Sequence, residues 1–127
     1  MKQTDIKSFS LIVSESYMED GVFLSYLWDD IYHSNPAFKF SQTLEALIFT
    51  LRFMIDKEIA VLIGYDQNRN EQIFWDGEGE DELKNLANYV NRLGDKVKKT
   101  PVLLDGFKYP SFKWKIPYPM DPKKYGL

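Results

Sequence analysis

The densest run of chemically capable side chains is Asp76-Gly77-Glu78-Gly79-Glu80-Asp81-Glu82, five carboxylates in seven residues. A calcium loop of the helix-loop-helix type needs acids at its first, third and fifth positions, glycine at the sixth and glutamate at the twelfth. Counted from Asp76, the sixth position is Asp81 and the twelfth is Ala87, so the spacing fails. Gly77 and Gly79 do not form a phosphate cradle either, because that loop needs a lysine or the longer glycine spacing after a strand, and five carboxylates repel phosphate. Acid-base chemistry by two carboxylates requires a pair held in one cleft in different environments. Asp29-Asp30 and Glu19-Asp20 are sequence neighbours, and on a helix neighbours point about 100 degrees apart. The single His33 falls at the end of a helical pattern, where an imidazolium is favoured by the helix dipole. With no cysteine, thiolate nucleophiles, disulfides and Cys-type zinc sites are excluded. The residues specify no catalytic site, no cofactor and no metal centre, so the expected activity is binding rather than catalysis.

Charge gives the binding reading a direction. Residues 1–82 carry 16 acids against 6 bases, and residues 83–127 carry 3 acids against 10 bases, so the two parts are −10 and +7 within a net charge of −3. Such a split either pairs internally or presents an acidic face to a basic partner. The acidic run, with Trp75 before it, and the Trp28-Asp29-Asp30 segment are therefore the candidate partner-binding residues: Trp75, Asp76, Glu78, Glu80, Asp81, Trp28, Asp29 and Asp30. Tryptophan is the side chain best suited to anchor such a contact. A solvated helix start is the competing account of the acids at 76–82.

The elements that must position these residues follow from periodicity. A chain of 127 residues, 44% hydrophobic and 16% aromatic, can build one core. The sequence predicts one α+β domain over 1–127, with a core at 4–94 and a wrapping segment at 95–127. Thr4 and Asp5 suit the start of a first helix reaching Tyr17. Phe23, Leu24, Leu27, Trp28 and Ile31 form an apolar stripe on a second helix, about Asp20 to His33, with Ser25, Asp29 and Asp30 on its other side; Ser34-Asn35-Pro36 ends it. Ser41 is the expected cap of a third helix carrying Leu44, Leu47, Ile48, Leu51, Met54 and Ile55, with Ala46, Phe49 and Phe53 as a second stripe. Ile59–Tyr65 and Gln72–Trp75, separated by a polar turn, read as a hairpin. A fourth helix runs from about Glu80 to Leu93, with Gly94 after its end. Three to four helices thus pack on a β-hairpin. Beyond Gly94, five prolines alternate with aromatics in an irregular segment, where Phe112, Trp114 and Ile116 alternate with Lys113 and Lys115 as in a lysine-guarded edge strand.

No run approaches the roughly 20 apolar residues of a membrane span, and the N-terminal residues do not form a signal peptide. The expected location is the cytoplasm, with no membrane partner. Helices before a hairpin could build a winged helix, but the helix preceding the hairpin is apolar on two sides and offers only Arg52 and Lys57 to a groove. Nucleic acid is accordingly not an expected partner.

At Tyr26-Leu27-Trp28-Asp29-Asp30-Ile31, the apolar helix around Glu45 to Ile55, the hairpin and Trp75-Asp76-Gly77, the chain resembles small bacterial immunity proteins encoded beside polymorphic or contact-dependent growth inhibition toxins. The likeness spans about residues 15 to 95 and rests on overall pattern; the aromatic, proline-rich tail lies outside it. It implies a protein that binds its cognate toxin domain, often a nuclease, and blocks it, with no catalytic residues of its own. The alternative from residues alone is a regulatory or scaffold domain with another protein partner.

Overall fold

The computed structural model describes residues 1–17, 22–75, 81–116 and 120–127. Its class is α+β, with helices layered on an antiparallel four-stranded sheet. The helices are α1 (Phe9–Tyr17), α2 (Leu24–Ser34), α3 (Phe40–Asp56), α4 (Asp81–Leu93) and the single turn α5 (Lys96–Lys99). The strands are β1 (Val22–Phe23), β2 (Ala60–Asp66), β3 (Glu71–Trp75) and β4 (Ser111–Trp114), in the order β1-β4-β2-β3.

The expected edge strand is the main correction. β4 lies inside the sheet, pairing with β1 through Val22 and Phe112 and with β2 through Ala60 to Ile63. Alternation along 112–116 reported a strand with one wet face, and that property does not distinguish an edge from an interior position. The two rows that cross the sheet define its faces. Val22, Phe112, Leu62 and Trp75 share the face under the helices, while Phe23, Ser111, Ile63 and Phe74 share the opposite face. Val22, Leu62 and Phe112 belong to the main hydrophobic core, and Val61 and Ile63 do not.

The expected division at residue 94 also fails, because the later segment fills the core: Val97, Leu104, Tyr109 and Phe112 are buried with Leu27, Leu47 and Leu86. A 3-10 stretch, Pro101–Gly106, packs on α2, where the Ser25 hydroxyl donates to Asp105 Oδ2 at 3.1 Å. Ser25 is therefore buried against this stretch rather than on a polar outer side. Tyr89 of α4 fastens the same stretch, its hydroxyl donating to the Leu103 carbonyl at 2.8 Å. Gly64 of β2 allows the chain at Lys108 to pass, since a Cβ there would run into the Lys108 carbonyl oxygen.

Helix boundaries differ where tertiary contacts take over. Thr4 and Asp5 lie in a 3-10 turn, Gln3–Asp5, and Ser8, with φ of 64°, separates it from α1. The second helix starts at Leu24 rather than Asp20, because Val22 and Phe23 pair with β4 and the Leu24 N–H donates to the Pro110 carbonyl at 2.8 Å. Phe40 opens α3 ahead of the expected Ser41 cap, and the Lys39 N–H donates to Gln42 Oε1 at 2.8 Å. The fourth helix matches its expected end, with Gly94 in the left-handed region at φ of 61°. Among the described residues no helix is long and apolar enough to cross a membrane.

Candidate functional site

The junction of α1, β1 and α2 builds an acidic groove. β1 hands the chain directly to α2, whose buried side carries Leu24, Leu27, Trp28 and Ile31 into the core. A helix that buries 24, 27, 28 and 31 must turn 26, 29 and 30 outward, since residues three and four apart share a face. Tyr26 is 55% exposed, Asp29 half-buried and Asp30 exposed. α1 contributes Glu15, exposed, and Ser16, buried. The Ser16 hydroxyl donates to the Ile12 carbonyl at 2.9 Å, and the Ser16 carbonyl accepts from Trp114 Nε1 at 3.1 Å, which ties the end of α1 to β4.

Glu15, Ser16, Val22, Tyr26, Asp29 and Asp30 together line a depression of about 340 Å³. Its aromatic residue is Tyr26, which packs edge-to-face on Phe23 with ring centroids 5.9 Å apart. Phe23 is 41% exposed because it points to the sheet face away from the helices. Three carboxylates beside the accessible ring of Tyr26 suit the ammonium or guanidinium groups of a partner, which gain from both charge and ring face. Among the described residues no group of three or more His, Asp or Glu side chains is arranged to hold a metal ion.

Of the residues expected from sequence, Asp29 and Asp30 line this groove. Trp28, expected as an anchor, is 1% exposed and packs on Phe40 at 5.8 Å; it is a core residue and offers no ring to a partner. Its position four residues after Leu24 and three before Ile31 is the signal that placed it in the core stripe. Trp75 is half-buried against the core from β3. Trp75 shares a row with Val22 across all four strands, which separates it from the groove by three strand spacings, roughly 14 Å. Asp81 is exposed in the first turn of α4. Asp76, Glu78 and Glu80 lie outside the described residues. The expected surface is thus not one patch among the residues described.

Glu15, Tyr26 and Phe23 went unread in the sequence. Tyr26 and Glu15 were legible as non-stripe positions, but nothing local brings the end of α1 beside α2. Phe23 was assigned to the core stripe, and only its pairing with Ser111 turns it outward. His33 is exposed in the last turn of α2, where its Nδ1–H donates to the Asp29 carbonyl at 2.7 Å. It takes no part in the groove. A second depression, about 430 Å³, lies between α3 and α4 around Leu44, Ile48, Phe49 and Ala87, away from these acids. No family model matches the chain, and no curated protein or solved structure matches it.

Proposed function

We propose that this chain is an immunity protein that binds and neutralises a cognate toxin domain, a nuclease, through its acidic surface. One observation carries the reading: Glu15, Asp29 and Asp30 share a concave surface with the exposed ring of Tyr26, which packs on Phe23. Nucleases attract phosphate and so present basic surfaces, and an acidic inhibitor gains encounter rate and selectivity from the opposite potential. Exposed aromatic rings supply the short-range part of such contacts at low entropic cost. Neutralisation requires only that the partner's substrate path be covered, so the inhibitor needs no chemistry of its own.

The reading requires that a toxin domain be encoded beside this gene, and the test uses that domain as the partner. Co-expression is expected to restore growth of cells producing that domain, and the purified proteins are expected to form a complex. In stopped-flow mixing, the triple variant Glu15→Gln, Asp29→Asn, Asp30→Asn should associate about tenfold or more slowly than the parent at low salt, with the difference shrinking at high salt. Equal rates at low salt would remove the groove from the interface. Failure to protect cells or to form a complex would overturn the immunity reading itself.

A further inference from the structure

A sheet exposes unpaired backbone groups only at its edges, and this sheet has two. β1 is two residues long, which limits what can pair with it. β3 is five residues long, and no strand among the described residues pairs with its outer side. In an antiparallel ladder alternate residues turn their N–H and C=O groups away from the existing partner, so β3 offers a spaced set of donors and acceptors. Proteins guard such edges with proline, lysine or a bulge. Glu71-Gln72-Ile73-Phe74-Trp75 contains no proline or lysine and pairs with β2 in unbroken register from Asp66 to Leu62. The lysines that could guard an edge, Lys113 and Lys115, belong to the interior strand β4 and the residue after it.

The side chains of β3 give this edge a character. On the face away from the helices, Phe74 is 51% exposed, and Tyr65 of β2, 55% exposed, lies diagonal to it. On the other face Ile73 and Trp75 are half-buried. An added strand would therefore meet apolar neighbours on both faces in alternation. The charges around the edge are acidic: Glu71 is exposed at its start, and the chain after Trp75 leads to Asp81 and Glu82 in the first turn of α4. Arg69 contacts both Asp66 and Glu71, at 3.7 and 3.6 Å, and leaves the hairpin end net negative. Self-pairing is disfavoured, because antiparallel β3–β3 contact about Ile73 would run Glu71 of one copy toward the acidic sequence following Trp75 in the other.

We infer that the free edge of β3 takes a basic, extended segment of a partner protein as a fifth strand. Main-chain hydrogen bonds supply the affinity, Phe74, Ile73 and Trp75 read alternate side chains, and lysine or arginine of the segment answers Glu71. The inference goes beyond the groove and rests on the immunity reading only in ascribing the segment to a basic toxin.

A displayed library of random twelve-residue peptides, selected on the immobilised full chain, tests it without any toxin. Enriched peptides are expected to alternate β-branched or aromatic residues with others and to carry lysine or arginine. Their binding should slow amide exchange in Glu71–Trp75 and weaken about tenfold or more on N-methylation of alternate peptide amides. Phe74→Lys, a change at an exposed position that keeps the fold by circular dichroism, should weaken it comparably. Asp29→Asn with Asp30→Asn should leave it within about twofold. Absence of enrichment, peptides without alternation or basic residues, indifference to N-methylation or to Phe74→Lys, or protection away from β3 would each overturn the inference. Those failures leave the groove test standing, and a toxin that forms no complex leaves the edge test standing.

Discussion

Truncating Phe112 to alanine asks whether the proline-rich tail is a wrapping or a structural interior. Phe112 sits on β4 between Val22 and Leu62, is 1% exposed and packs edge-to-face on Trp114 at 6.2 Å. Burying an aromatic ring contributes roughly 1.5–3 kcal/mol by transfer alone. The cavity left in a well-packed core raises the usual cost of Phe→Ala to about 3–5 kcal/mol. A domain of this kind is stable by roughly 5–15 kcal/mol, so Phe112→Ala removes about a fifth or more of the total. With a urea slope near 2 kcal/mol/M, the midpoint should fall by roughly 2 M without a change in slope. Circular dichroism through a urea titration reads this directly. Lys113→Ala, the neighbouring residue on the opposite face, should stay within about 0.5 kcal/mol. A cost below about 1 kcal/mol for Phe112→Ala, or a separate early transition, would mean that β4 peels away without disturbing the sheet and would refute the central-strand account.

Two further substitutions test close fits elsewhere. Gly64→Ala places a methyl group against the Lys108 carbonyl oxygen; backbone cannot yield as a side chain does, so thermal melting should show a loss of about 2 kcal/mol or more. Retention of the parent melting temperature would contradict that contact. Asn35 is buried, accepts the Lys7 N–H at 2.8 Å and donates to the Ile31 and Lys7 carbonyls at 3.0 and 3.3 Å. Asn35→Ala leaves these backbone groups without that partner and should cost about 2–4 kcal/mol in denaturant titration; a change below about 0.5 kcal/mol would show that water replaces the side chain freely.

The sequence by itself determined the elements whose signals are local. The two-sided apolar pattern of α3, the stripe and glycine stop of α4, and the β-rich runs flanking residues 66–70 were all legible, because periodicity and capping are read within one or two turns of chain. The same local logic assigned Trp28 to the apolar stripe of α2, and that stripe, rather than any partner, governs its burial. The sequence also delivered the excess of acids over bases before residue 83, since charge can be counted without a fold.

Only the tertiary structure decided strand order and the faces that follow from it. Alternation at 112–116 is the same for an edge and an interior strand, so neither the placing of β4 between β1 and β2 nor the open side of β3 could be read from it. Long-range pairing with β4 is also what takes Val22 and Phe23 out of the second helix and turns Phe23 to solvent beside Tyr26. The groove itself joins Glu15 to Asp29 and Asp30 across two helices, a proximity set by how α1 and α2 pack over the sheet. Residue spacing fixes which side of each element a side chain occupies, but it carries no record of which other element that side will meet.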